Sequence, residues 1–159
     1  MAEDAVTEVA GTVPVERSVF GLDEMRRPGE PERPFWTELP MGGDPVVVGV
    51  STGRMLSNAP SHEALVELKV RDQPPPRPGP EFVPPREWAY TSGSGQVILC
   101  SLDGPELRID LAADTAYVLR VWRKGGDSAA ERFEELAGSV YPVTGLEEYR
   151  FLFTPVPGA

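Results

Sequence analysis

An antiparallel β-sandwich of about eight strands, with one short helix near 128–137 and an irregular N-terminal region, is the fold class this 159-residue sequence predicts. Apolar and polar residues alternate at period two through Ala64-Val66-Leu68-Val70 and Leu107-Ile109-Leu111, while Glu67, Lys69, Arg71, Glu106, Arg108 and Asp110 hold the opposite parity. Such segments bury one face and wet the other. Turns rich in Gly, Pro, Ser and Asp separate the alternating runs, and only one stretch repeats apolar residues at helical spacing. A sandwich is preferred to a flattened barrel because strands of unequal length and a proline-rich crossing are easier to place between two facing sheets.

The elements follow in chain order. Residues 1–44 are expected to form an acidic, Pro/Gly-rich arm or edge-strand region, and residues 45–159 the β-sandwich domain; the first part carries ten acids against four bases. Val13, Val15 and Val19-Phe20 suit an edge strand, because Pro14 removes a ladder donor. Within the irregular stretch from Met25 to Asp44, Phe35-Trp36 reads as a plug anchoring the loop to the core, with a partner-binding hot spot as the sharper alternative. Pro45 to Ser51 is a β-branched run that suits a strand buried on both faces, and Thr52 to Pro60 a turn or loop.

His62, the only histidine, opens the strand that runs through Arg71, a place where histidine is usually a surface residue. Residues 74–85 contain seven prolines and read as a stiff polyproline spacer. Trp88 and Tyr90 share a face of the next strand, which Ser92-Gly93-Ser94-Gly95 ends. Gln96 to Leu102 and Glu106 to Leu111 form a hairpin about Asp103-Gly104-Pro105, and Tyr117 to Arg123 alternates well enough to be central. Ser128 to Leu136 is the helix: Asp127 or Ser128 serves as cap, and Ala130, Phe133, Leu136 and Ala137 line one face. The last strand, Glu147 to Thr154, places Tyr149, Phe151 and Phe153 together before Pro155 and Pro157 end the sheet.

Charge and composition narrow the function. A formal net charge of -10 argues against a nucleic acid or an anionic membrane as partner, and favours a basic protein. The single cysteine, Cys100, lies in an apolar run and is expected to pack as a small hydrophobe. The acidic start Met1-Ala2-Glu3-Asp4 lacks the layout of a signal peptide, and no apolar run approaches the roughly 20 residues that span a bilayer, so a cytoplasmic location is expected.

One histidine and one cysteine do not make a structural zinc set, no glycine loop precedes a helix, and no Gly-x-Ser-x-Gly elbow presents a nucleophile. No catalytic residue, cofactor or metal is therefore assigned. What remains is acidity in the last third: Glu131, Glu134 and Glu135 in the helix and Glu147 and Glu148 opening the last strand, able to form one negative surface that occludes a basic site.

Four landmarks carry a family resemblance over about residues 46–154. They are the Ala64-to-Arg71 strand ending in Asp72 and prolines, the run Leu99-Cys100-Ser101-Leu102-Asp103-Gly104, the strand Thr115 to Val121 followed by Lys124-Gly125-Gly126-Asp127, and the closing Glu147 to Pro155. In this order they resemble small bacterial β-sandwich proteins, among them the competence-associated nuclease-inhibitor family and its actinobacterial relatives. The resemblance implies a non-enzymatic, acidic protein that neutralises a toxic or nuclease partner by binding it.

The leading expectation is thus an inhibitor or immunity-like interaction protein for a basic partner, with Glu131, Glu134, Glu135, Glu147 and Glu148 supplying charge and Trp36 or Trp122 an anchor. Three alternatives stand beside it. Trp88, Tyr90 or Trp122 would stack on a sugar in a carbohydrate or small-ligand module, a pair of carboxylates would serve an enzyme, and the first 44 residues would dock a structural subunit on its neighbour.

Overall fold

The computed structural model describes residues 8–39, 44–73, 78–83 and 87–157. Among the described residues ten strands run β1 (Glu8–Glu16), β2 (Val19–Glu24), β3 (Val46–Gly49), β4 (Thr52–Leu56), β5 (Ser61–Val70), β6 (Glu87–Ser92), β7 (Gln96–Ser101), β8 (Gly104–Asp110), β9 (Thr115–Lys124) and β10 (Thr144–Pro155). The helix α1 (Gly126–Leu136) lies between β9 and β10. Of the expected polyproline segment, residues 74–77 and 84–85 lie outside the described residues.

The strands form one sheet in the order β3-β4-β2-β1-β5-β10-β9-β6, with β7 branching from β2 and carrying β8. The branch arises at the β1–β2 hairpin. Its two strands pair only at Glu16 and Val19, after which β1 turns to β5 and β7 takes its place along Gly21 to Glu24. At the other end of the path β3 and β6 come together, and the Ser51 hydroxyl donates to the Thr91 carbonyl across the gap. The sheet is therefore a nearly closed barrel rather than the plain two-layer sandwich expected, because a shared hairpin joins its halves on one side and side chains bridge them on the other. Nor is it wholly antiparallel: β10 inserts between β9 and β5 and pairs with β5 in parallel.

Period-two reading locates the core. Ala64, Val66 and Leu68 from β5 and Tyr149, Phe151 and Phe153 from β10 are buried together, and each large side chain taken from water contributes ~1.5–3 kcal/mol. Phe20 meets Tyr149 edge to face at 4.9 Å, and Tyr90 meets Phe153 at 5.3 Å. Tyr90 is buried and Trp88, on the same face, packs against the core at its margin.

Several local expectations are corrected. The β1 strand lies within the sheet order, although it is laddered along one side for most of its length, which leaves Pro14 a place. Residues 52–56 are the strand β4, not a loop, since pairing with both β2 and β3 overrides a weak local preference. The Val46–Gly49 strand stands at the end of the path and is half-buried rather than covered on both faces. The helix begins at Gly126 and its N-cap is Gly125 at φ 87°, with no side-chain cap from Asp127 or Ser128. A Cβ on Gly125 would come within 2.2 Å of the Leu146 carbonyl, so the closeness of β10 selects glycine there.

Candidate functional site

A groove of about 420 Å³ opens where four parts of the fold meet: the end of β1, the start of β5, the β7–β8 turn and the chain that follows α1. Glu16, Glu63 and Asp103 supply carboxylates, Phe133, Val140 and Tyr141 supply apolar surface, and none of the described lining residues is lysine or arginine. Tyr141 is 93% exposed on this lining, whereas His62 is 4% exposed.

The walls are held by a short chain of polar contacts. At the β1–β2 turn Arg17 and Ser18 adopt positive φ, and the Ser18 hydroxyl donates to the Ala59 carbonyl at 3.3 Å. Asn58 Nδ2 then donates to the Gly126 carbonyl at 2.6 Å, tying the loop after β4 to the first turn of α1. Ala59, Ala129, Val143 and Leu146 form a small apolar cluster beneath the helix, joined at its edge by Phe133 and Leu136.

Behind the groove lies a buried carboxylate. Glu147 is 0% exposed, and its Oε2 accepts from the Ser57 hydroxyl at 2.9 Å, the Asn58 amide at 3.1 Å and Arg123 Nη2 at 3.4 Å. Its Oε1 accepts from the Tyr149 hydroxyl at 2.5 Å. Burial, with the Glu147 charge beside it, pushes the Tyr149 phenol far above its ordinary range, so it stays a donor.

Ser57 Oγ also stands 2.8 Å from His62 Nε2 and accepts from the Ala59 amide at 3.0 Å. Because its single proton is directed to Glu147, the network assigns the His62 proton to Nε2, donating to Ser57. Nδ1 is buried with no partner at full hydrogen-bond geometry, and the Glu63 backbone lies beside the ring. Burial holds the imidazole pKa below its ordinary value, opposed by the Glu147 charge.

Serine, histidine and glutamate thus meet without the order that nucleophilic catalysis uses. In a hydrolase triad the carboxylate orients the histidine and the histidine takes the serine proton; here the carboxylate holds the serine proton directly. The arrangement ties the start of β10 to β5 and to the loop that follows β4. Among the described residues no three His, Cys, Asp or Glu converge as metal ligands, so the groove carboxylates are spread around its lining.

The residues singled out from sequence are dispersed. Glu131, Glu134 and Glu135 are exposed together on α1, where Arg132 and Asp127 are exposed as well. Glu147 is the buried brace, and Glu148 points the other way, paired with Lys124 at 3.5 Å and Arg150 at 3.1 Å. Trp36 is 6% exposed and lies over β2, where a Cβ on Gly21 would come within 2.0 Å of its ring. That is the loop plug; Phe35 beside it is exposed under Arg26.

Trp122 is half-buried in a separate hollow beside Pro78 and Arg150, and neither tryptophan lines the groove. Tyr90 has its hydroxyl on Glu24, so it offers no face for stacking on a sugar. His62 is buried, not a surface residue. The signal was its parity, since His62 shares the buried side of β5 with Ala64, Val66 and Leu68.

Comparison with known proteins places this architecture. No family model matches the chain, and no curated protein matches it. Among solved structures, ComJ from Bacillus subtilis, an inhibitor of the DNA degrading activity of NucA, superposes with a TM-score of 0.59 at 11% identity, over 93% of this chain and 96% of that one. The fold is similar to that of ComJ. The product of crocagin biosynthetic gene J is also similar, with a TM-score of 0.50 and 11% identity over 96% of this chain and 98% of that chain. The resemblance to nuclease-inhibitor proteins read from strand and turn order therefore holds at the level of the fold. No helix among the described residues is long and apolar enough to cross a membrane.

Proposed function

We propose that this protein is a non-enzymatic binding module that covers the surface of a basic partner protein, as an inhibitor or immunity protein does, and that a nuclease or toxin is such a partner. One observation carries the reading: the groove and the adjoining helix collect Glu16, Glu63, Asp103, Glu131, Glu134 and Glu135, with no basic residue among the described groove lining. A predominantly acidic surface, even with Arg132 exposed on the helix, accelerates encounter with a basic partner and suppresses wrong partners. An enzyme that grips phosphates presents lysine and arginine in its substrate cleft, which is the complement of this face. The fold shared with an inhibitor of a DNA-degrading enzyme supports the same reading.

The test is capture from source cells by the tagged full-length chain at low and at moderate salt, with the captured proteins identified by mass spectrometry. A basic protein that elutes as salt rises, and whose activity the purified chain lowers, is the expected result. Recovery of no basic protein at either salt overturns the proposal. With the partner in hand, the E131Q/E134Q/E135Q variant is expected to slow association by about tenfold at low salt and to leave dissociation nearly unchanged.

A further inference from the structure

We infer that two copies of this chain pair edge to edge through β8, antiparallel about Ile109, so that Arg108 of each faces Asp110 of the other and Leu107 of each faces Leu111 of the other. The inference stands apart from the binding-module reading, since none of these residues lines the groove.

The β8 strand is an edge. At the ends of the main path β3 and β6 come together and are bridged from Ser51 to Thr91, whereas β8 pairs with β7 on one side and with no described strand on the other. The register fixes which backbone groups that edge presents. The Leu111 amide donates to the Gly95 carbonyl at 2.7 Å, and Ile109 and Leu107 lie opposite Val97 and Leu99. Antiparallel alternation therefore turns the N–H and C=O groups of Leu107 and Ile109 toward β7 and those of Arg108 and Asp110 away from it, as a template for another strand.

Side chains decide which strand fits. The run Leu107-Arg108-Ile109-Asp110-Leu111 is its own complement when read antiparallel. The Arg108 and Asp110 side chains are 58% and 46% exposed on the outer face. Ile109 is buried on the inner face, where Leu107 and Leu111 are partly buried against the core. A two-fold axis at Ile109 makes Arg108 and Asp110 the hydrogen-bonded pairs, as their outward groups require, and sets opposite charges across from each other. On the inner face Ile109 meets Ile109 and Leu107 meets Leu111, apolar throughout.

Neighbouring registers fit less well. An axis at Arg108 opposes two arginines and sets Glu106 against Asp110, and an axis at Asp110 opposes two aspartates. An axis at Leu107 draws in the start of β8 around Pro105, where the register with β7 shifts. The contact between Arg108 and Asp110 within one chain, at 3.3 Å, is exposed to solvent and weak, so it does not compete with pairing across the axis.

Sedimentation equilibrium of the full chain tests this, from low micromolar to near-millimolar concentration at an ionic strength that screens the net charge of -10. A monomer–dimer equilibrium is expected. R108D and D110R each turn the cross-strand attractions into repulsions and are expected to weaken the dimer at least about tenfold, while the R108D/D110R swap restores it to within about threefold of wild type. Hydrogen exchange on the wild-type chain decides the matter where a variant does not fold. The Arg108 and Asp110 amides are expected to exchange quickly in dilute solution and to slow as concentration rises, whereas Leu107 and Ile109, held by β7, are slow at both. A chain that stays monomeric throughout, leaving the edge to a strand of another protein, overturns the inference. So does a dimer indifferent to either reversal or not restored by the swap, and so do Arg108 and Asp110 amides whose exchange ignores concentration.

Discussion

The Tyr90 hydroxyl donates to Glu24 Oε2 at 2.5 Å and so joins β6 to β2, strands far apart in the sheet order and 66 residues apart in the chain. The other oxygen of Glu24 accepts from the Gly93 amide at 2.8 Å. Burial first, and then the Glu24 charge, raises the Tyr90 pKa well above its ordinary value, which keeps the proton in this bond. Together with Ser51 and Thr91, this pair closes the barrel where no ladder does.

Removing that hydroxyl leaves a buried carboxylate oxygen short of a donor. Y90F is expected to destabilise the fold by ~1–3 kcal/mol, read as a lower urea midpoint, and to raise amide exchange selectively in β6 and β3. An unchanged midpoint with uniform exchange would show that the closure does not depend on this bond.

The Glu147–Arg123 pair makes a larger claim. Both side chains are largely buried at 3.4 Å separation, so truncating one strands the other in a medium where it has little solvent. E147A is expected to cost ~3–5 kcal/mol, whereas S57A, which removes one donor and leaves the ion pair, costs ~1–3 kcal/mol. Chemical denaturation of the two variants checks the order; equal losses would mean the brace is not organised around the charge.

Stability depends on pH through His62. Its folded pKa lies below the ordinary 6.5, chiefly because burial disfavours the charged ring. The unfolded chain therefore takes up the proton first as pH falls, and the slope of stability against pH is positive there. The contribution is intact above about 6.5 and is lost as pH drops from there toward the lower folded value. Wild type is expected to lose more stability than H62Q between about pH 7.5 and 5.5, since glutamine cannot protonate. Parallel pH profiles for the two proteins would refute this account.

Cys100 supplies a check on the interior. Burial, reinforced by Asp23 and Glu106, pushes its thiol up to about 12 from 9.0. At pH 8 the thiolate is then on the order of 10⁻⁴ of the population, so labelling by iodoacetamide is expected to wait for opening and to accelerate with urea. Rapid labelling of the native protein would place the thiol at the surface instead.

Alternation at period two was sufficient to locate β5, β8, β9 and β10 and their buried faces, because which side chains share a strand face is a local property of the chain, whereas β7 was legible as an apolar run beside an Asp-Gly turn. The same parity, shared with Ala64, Val66 and Leu68, marks His62 as interior, a signal that the surface expectation for a histidine at a strand entrance passed over. The helix was visible from its apolar spacing, though its start was not, since Gly125 serves as cap only where Leu146 leaves no room for a side chain.

Sheet closure, the parallel pairing of β10 with β5 and the strand identity of residues 52–56 are decided by contacts between segments distant in sequence, and no local pattern encodes them. The same holds for the groove. Glu16, Glu63, Asp103 and Tyr141 come from four separate parts of the chain and become one surface only when the β1–β2 hairpin, the β7–β8 turn and the segment after α1 are folded against each other. Glu147 and Glu148 make the point within a single strand: neighbours in sequence, they part to opposite sides, one into the interior with Arg123 and one to the surface with Lys124.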